Sequence, residues 1–264
     1  MKITSLAENT STGGLRSVHG LSLYIETGSH RLLFDLGPDK TLFVNAEKMG
    51  IDLAAVDTVI ISHGHYDHGG ALEDFLKINH TAKVYVHQRA FEPHYSCLLS
   101  FKKSIGIDPA LKDHPQVVLT DGEYRIDNEL LLFTVSGADK CHSTANDSLL
   151  DSSGRDSFAH EHNLIINDGA CALVMGCGHN GVVNIMERAQ PYAPQLCVGG
   201  FHLYSPSLGK TVAAELLDEI AAELKQYQNT RFYTCHCTGK EAFEHLSKLM
   251  PNLAYLSCGE SIEL

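Results

Sequence analysis

The segment Ser62-His63-Gly64-His65-Tyr66-Asp67-His68-Gly69-Gly70 places three imidazoles and a carboxylate within six consecutive residues. Imidazole nitrogen and carboxylate oxygen are the donors that borderline divalent metals such as zinc, manganese or iron accept. The glycines let the backbone fold tightly, so that neighbouring side chains turn toward a common centre. The plain alternative is a histidine-rich surface loop, but without a metal four adjacent ionisable groups gain little from being clustered. The segment follows an apolar run that ends at Ser62 and precedes a helical pattern that starts at Gly70. A loop at a strand end is where ligand atoms can converge from a rigid scaffold.

The elements that must position this loop read as strands first. Leu21 to Glu26 alternates, and Arg31 to Asp35 follows a Gly28-Ser29 turn, which is a hairpin pattern. Asn45 to Met49 closes a helix that ends at Gly50. Val56 to Ser62 is a short apolar strand, and Gly70 to Ile78 is helical, with Leu72, Phe75 and Leu76 on one face. Strands recur at Val84 to Val86, Val117 to Leu119, Tyr124 to Ile126 and Leu130 to Val135. The stretch from Ser136 to His162 is polar and unusually long for a compact domain, the texture of a lid or substrate loop, or of a disordered insertion. A hairpin about Asp168-Gly169 joins Leu164 to Ile166 with Ala172 to Met175. Asn180 is placed to cap a helix through Gln190. Leu196 to Val198 is a strand, Val212 to Tyr227 a long amphipathic helix, and Arg231 to Cys235 a strand. Thr238 to Glu241 has the form of a capping box, and Tyr255 to Ser257 and Ser261 to Glu263 finish the chain. No internal repeat or linker is visible, and residues 1–264 are expected to form one domain.

The composition bounds the function. The chain has 264 residues, 44% of them apolar, and a formal net charge of -12, which speaks against nucleic acid or an anionic membrane as partner. No apolar run has the length of a signal peptide or a membrane span. Eight scattered cysteines without an export signal suit a reducing cytoplasm better than a disulfide framework.

The His63-x-His65-x-Asp67-His68 pattern resembles the signature of the metallo-β-lactamase superfamily. The later landmarks follow in order: Phe34-Asp35-Leu36-Gly37, then Gly176-Cys177-Gly178-His179, then Cys235-His236-Cys237. The resemblance implies an α/β fold, an αββα sandwich of two mixed sheets flanked by helices. It implies one or two divalent metal ions, zinc first and manganese or iron as alternatives. His63, His65 and His179 would bind the first metal; Asp67, His68 and His236 would bind the second, with metal-activated water attacking the substrate. The sequence departs from the family where a bridging aspartate is usual. That place reads Gly199-Gly200-Phe201-His202-Leu203, so His202 is expected either to bind one metal terminally or to leave the second site weak. Together with Val18-His19-Gly20-Leu21-Ser22, these motifs look like the subgroup named for a dihydropterin ribofuranosyl-aminobenzene phosphate synthase of methanopterin biosynthesis.

Asp67 is the expected catalytic residue, orienting the water or shuttling its proton. Asp35 is placed either to fix a histidine tautomer or only to close its hairpin. His19 and His162 are weaker candidates for substrate contact, as are His87 and His160; each is more often a packed or solvated histidine. Cys177, Cys235 and Cys237 are expected in the core, and Lys210 in solvent. The leading expectation is a cytoplasmic hydrolase acting on a small, possibly phosphorylated, metabolite. The alternatives are a synthase-like transferase, an iron-dependent thiol dioxygenase and a non-catalytic metabolite sensor. Oligomeric state is not legible.

Overall fold

The computed structural model describes residues 1–99, 101–137 and 139–264; Ser100 and Ala138, the latter inside the polar 136–162 stretch, lie outside the described residues. One sheet takes the strands Lys2–Ala7, Ser22–Glu26, Arg31–Phe34, Thr58–Ile61, Lys83–His87 and Val117–Thr120 side by side in chain order, and Ser261–Glu263 adds to its first edge. A second sheet takes Tyr124–Arg125, Leu130–Phe133, Asn163–Asp168, Ala170–Met175, Leu196–Gly199, Arg231–Thr234 and Leu253–Tyr255, again in chain order. Each sheet has three antiparallel pairings followed by three parallel ones. The two halves of the chain therefore share an architecture that no repeat in the sequence announces.

Strand alternation explains the layering. In Leu130–Phe133 all four residues are buried, Leu130 and Leu132 facing the other sheet, Leu131 and Phe133 facing helices. A continuous apolar run is what a strand covered on both faces requires. Between the sheets lie Ile3, Leu23, Ile25, Phe34, Ile60, Leu164, Ile166, Val174 and Val198. Outside the first sheet, Thr41–Met49 and Leu72–Ile78 bury Leu42, Ala46, Leu72 and Phe75. Outside the second, Val182–Ala189, Ala214–Leu224 and Lys240–Leu249 bury Ile185, Met186, Leu217, Ile220, Leu224 and Leu246. The result is the α/β/β/α stack of two mixed sheets that the sequence leads one to expect. Each fully buried Leu, Ile or Phe contributes roughly 1.5–3 kcal/mol. No helix among the described residues is long and apolar enough to cross a membrane.

Several local expectations are corrected. Asn180 does not cap: the helix Val182–Ala189 begins after Gly181, and the Asn180 amide donates to the Glu161 carboxylate at 2.9 Å. Thr238 does not form a capping box either, since Gly239 precedes the helix Lys240–Leu249 and the Thr238 hydroxyl accepts from the Phe201 N–H at 2.9 Å. The stretch before Pro115, read without strands beyond Val86, contains a hairpin of Tyr95–Leu98 and Phe101–Ser104. The polar 136–162 stretch is threaded through the structure, with Leu149–Leu150 pairing against Tyr95–Leu98 and Asn146, His160, Glu161 and His162 buried.

Candidate metal centre

Parallel strands Thr58–Ile61, Ala170–Met175, Leu196–Gly199 and Arg231–Thr234 end on one side of the molecule, and the chain must turn out of each sheet there. Asp35, His202 and His236, all at or just beyond strand ends, take left-handed backbone angles (φ 62°, 46° and 51°). Non-glycine residues adopt such angles when the surrounding structure over-determines them, a condition common at functional sites. Gly64 is needed for packing: a Cβ there would strike the Ala90 carbonyl oxygen and the His94 ring.

His63, His65 and His179 meet, with His63 Nε2 at 3.0 Å from His65 Nδ1 and 3.3 Å from His179 Nε2. His68, Asp67 and His236 meet beside them: His68 Nε2 is 3.2 Å from His236 Nε2, and Asp67 Oδ2 is 3.3 Å from His236 Nε2 and 3.9 Å from His68 Nε2. A tetrahedral zinc with bonds of about 2.0–2.1 Å has donor–donor edges of roughly 3.3–3.4 Å. The separations seen run from 3.0 to 3.9 Å and bracket that edge.

Proton bookkeeping gives the same answer. The Ser62 hydroxyl donates to Asp35 Oδ2 at 2.7 Å, so His63 Nδ1–H must be the donor in its 2.8 Å contact with Ser62 Oγ. His179 Nδ1–H donates to Asn146 Oδ1 and His236 Nδ1–H to Asn9 Oδ1, each at 2.9 Å. His68 Nδ1–H donates to Asp35 Oδ2 at 2.6 Å. Every one of these outer nitrogens is tied, which turns Nε2 inward; anchoring of this kind is how ligating histidines are oriented. Burial, and after it the neighbouring histidines, hold His63, His65 and His179 well below the usual imidazole pKa, so they present bare lone pairs. His68 differs. Burial opposes its charge, but Asp35 and Asp67 outweigh it and push it up to about 9. Burial likewise opposes ionisation of Asp67, while His68 and His236 hold its carboxyl well below the usual range. The donor set fits two divalent cations.

Of the residues singled out in the sequence, Asp35 is a positioning group, its other oxygen accepting the Ser62 N–H at 2.7 Å. The His202 ring lies tilted against that of His179, centroids 4.1 Å apart, with both nitrogens buried and without partners among the described residues, which places it on the first triad's side. His19 reaches the rim, Nε2 3.4 Å from Asp67 Oδ2. His162 is corrected: it is packed against His87, ring centroids 5.0 Å apart, away from the cavity, and burial pushes its pKa down to about 3. His160 lies behind His65. Lys210 is exposed.

Cys177 is buried, as read, but it is more than core. Its Sγ lies 3.1 Å from His68 Nε2, and it belongs to donor groups shared with His63 and His68, with His179 and His202, and with His236 and Cys237. It stands between the two triads, where the absent aspartate was sought beyond Gly199. Cys237 also faces the cavity, because the chain leaves strand geometry at His236–Thr238 and alternation no longer applies. Cys235 is core.

Two further carboxylates were not legible. Glu8 Oε1 accepts the His236 N–H at 2.6 Å, and Glu161 Oε1 accepts the His179 N–H at 2.6 Å; both side chains are fully buried. Each clamps the backbone of one inward-facing histidine, one per half of the cluster. Glu161→Gln is expected to cost about 10–100-fold in zinc affinity, the range for loss of an anchoring partner. Competition with a fluorescent chelator measures it, and unchanged affinity in a folded variant would remove Glu161 from the account.

The cluster floors a cavity of about 400 Å³. Its walls include Leu98, Phe101, Ile105, Leu149 and Pro206, with Lys103 the lone lysine or arginine among them.

Residues 16–137 match the profile of the Metallo-beta-lactamase superfamily. Across 100% of this chain and 99% of the other, the structure superposes with a TM-score of 0.84 and 24% identity on Tm1679, described as a metal-dependent hydrolase of the β-lactamase superfamily. The fold is that of the metallo-β-lactamases. Two proteins of Methanocaldococcus jannaschii are similar over nearly the whole length. The uncharacterized protein MJ0448 is 26% identical over 98% of this chain and 99% of its own. A 7,8-dihydropterin-6-methyl-4-(β-D-ribofuranosyl)-aminobenzene-5'-phosphate synthase is 25% identical over 92% of this chain and 89% of its own. In metallo-β-lactamase terms, the departure at Gly199 to Leu203 coincides with a thiol, Cys177, between the two donor sets.

Proposed function

We propose that this metallo-β-lactamase-fold protein is a metal-dependent hydrolase of a small molecule with an apolar body and an anionic group. The inward convergence of His63, His65 and His179 beside Asp67, His68 and His236 carries the reading. The first three would hold one cation and the second three another, with Cys177 between them; burial keeps its thiol protonated in the metal-free chain, and a cysteine sulfur among imidazoles suits zinc once a cation draws that proton off. Bound divalent cations supply the Lewis acidity that polarises the scissile bond and makes water a nucleophile at neutral pH. Asp67, held ionised, is a poor proton acceptor and serves to orient. His19 opens on the cavity beside it, its side chain 42% exposed at the rim, and with its pKa drawn down by partial desolvation and then by His236 it is placed to take a proton.

Substrate class follows from the walls. Leu98 and Phe101 are 42% and 81% exposed, yet they line the cavity mouth. A bound apolar group would cover them. Lys103, in no ion pair among the described residues, offers the charge for an anionic group. Lys103→Ala is expected to raise KM about tenfold for an anionic substrate with kcat nearly unchanged, the signature of lost uniform binding. A neutral analogue should show no such change; equal effects on both would sink the assignment.

The general test is a panel of aryl phosphoesters and lactones offered to zinc- and manganese-loaded protein. Turnover lost in His65→Ala supports the hydrolase. The likeness to the M. jannaschii synthase favours a second reading, a bond-forming transferase. It gains if the panel is inert and a phosphorylated aromatic amine is consumed together with an activated pterin.

A further inference from the structure

Behind His65 lies a second cluster that the main centre does not use. Asp156 Oδ2 is 2.9 Å from His94 Nδ1 and 3.2 Å from His160 Nε2. With His65, these side chains bring four ligand atoms within 4.8 Å of one another, and all are buried or nearly so. They come from three separate stretches of chain. The Gly64 N–H donates to His160 Nδ1 at 3.0 Å, which turns the remaining nitrogen of that ring onto Asp156.

Two features are hard to reconcile with a closed hydrogen-bond network. His94 Nε2 and His65 Nε2 are both buried without any partner. A buried nitrogen left without a partner forfeits the hydrogen bond that water would give it. The Asp156 carboxylate is also buried with no lysine or arginine against it among the described residues, and its ion-pair neighbours are imidazoles alone. Its hydrogen-bond donors are the Phe158 N–H, 2.8 Å from Oδ1, and the two imidazoles, so no full positive charge stands against it. The two Asp156 contacts, at 2.9 and 3.2 Å, are somewhat shorter than the roughly 3.3 Å edges of a tetrahedral zinc site, and a bound ion would take the place of both hydrogen bonds.

We propose that His94, Asp156 and His160 hold a further divalent cation, with His65 Nε2 as its fourth neighbour. His65 then stands between this ion and the main centre, its Nδ1 facing His63 and its Nε2 facing the new site. A separate cavity of about 240 Å³, bordered by Asp156, Phe158, Asn180 and His179, gives an ion a way in.

Zinc content per chain tests this, measured by elemental analysis after saturation and removal of loose metal. Wild type is expected to hold one equivalent more than His94→Gln and one more than Asp156→Asn, with circular dichroism confirming that both are folded. Equal content in the three proteins would overturn the proposal and leave a hydrogen-bonded network. If neither variant folds, anomalous diffraction at the zinc edge from wild-type crystals grown with zinc decides, with a peak bonded to His94, Asp156 and His160 if the site exists and none there if it does not. That arm depends on the second cluster alone, so a failed hydrolase reading would not mimic its result.

Discussion

His63→Ala is expected to abolish turnover, by at least about a thousandfold, while leaving the fold intact. His63 Nε2 is the nitrogen closest to both other members of its triad, at 3.0 and 3.3 Å. Its removal opens that donor set and leaves His179 Nε2 facing empty space. A defect of this size corresponds to about 4 kcal/mol of transition-state stabilisation. The fold should survive because the imidazole packs chiefly against other histidines rather than among the apolar clusters. The checks are kcat/KM on whichever substrate the panel identifies and the thermal midpoint of metal-free protein. Activity within tenfold of wild type would remove the first triad from the mechanism.

Asp35→Asn is expected to be the most destabilising conservative change near the site. Asp35 and His68 are both fully buried, and Asp35 also accepts from the Ser62 N–H and hydroxyl. Removing one charge of such a pair costs about 3–5 kcal/mol. Its pH dependence has a definite sign. His68 is raised to about 9 in the fold, from an ordinary 6.5. The stabilisation is therefore fully present below about pH 6.5 and is lost as pH rises through 9. Denaturant unfolding of metal-free wild type and variant should show a wide gap at pH 6 that narrows by pH 9.5. A gap that stays constant across that range would mean His68 is not charged in the metal-free protein.

What was legible in the sequence was what is local. His63, His65, Asp67 and His68 lie on one tight turn, so spacing alone reveals them, and apolar alternation found most of the fourteen strands of the two sheets. Glu8, Asn9, Asn146 and Glu161 serve the same histidines from far along the chain; Glu8 meets His236 across 228 positions. A lone glutamate on a strand flank carries no periodic signal. Cys177 reads as a packing residue in sequence because burial and ligation look alike for a thiol. The Tyr95–Ser104 hairpin was missed because its strands are short, carry lysines and bury little, so no alternation marks them. Asn180 and Thr238 looked like caps because their types favour that role. Tertiary partners, Glu161 for one and Phe201 for the other, claimed their side chains instead.

The most direct measurement of the central claim is anomalous diffraction at the zinc edge from crystals grown with zinc. The account predicts one peak about 2.0–2.1 Å from His63 Nε2, His65 Nδ1 and His179 Nε2, and a second bonded to Asp67, His68 and His236. No anomalous density among these six residues, with their nitrogens hydrogen-bonded to one another or to water, would contradict it.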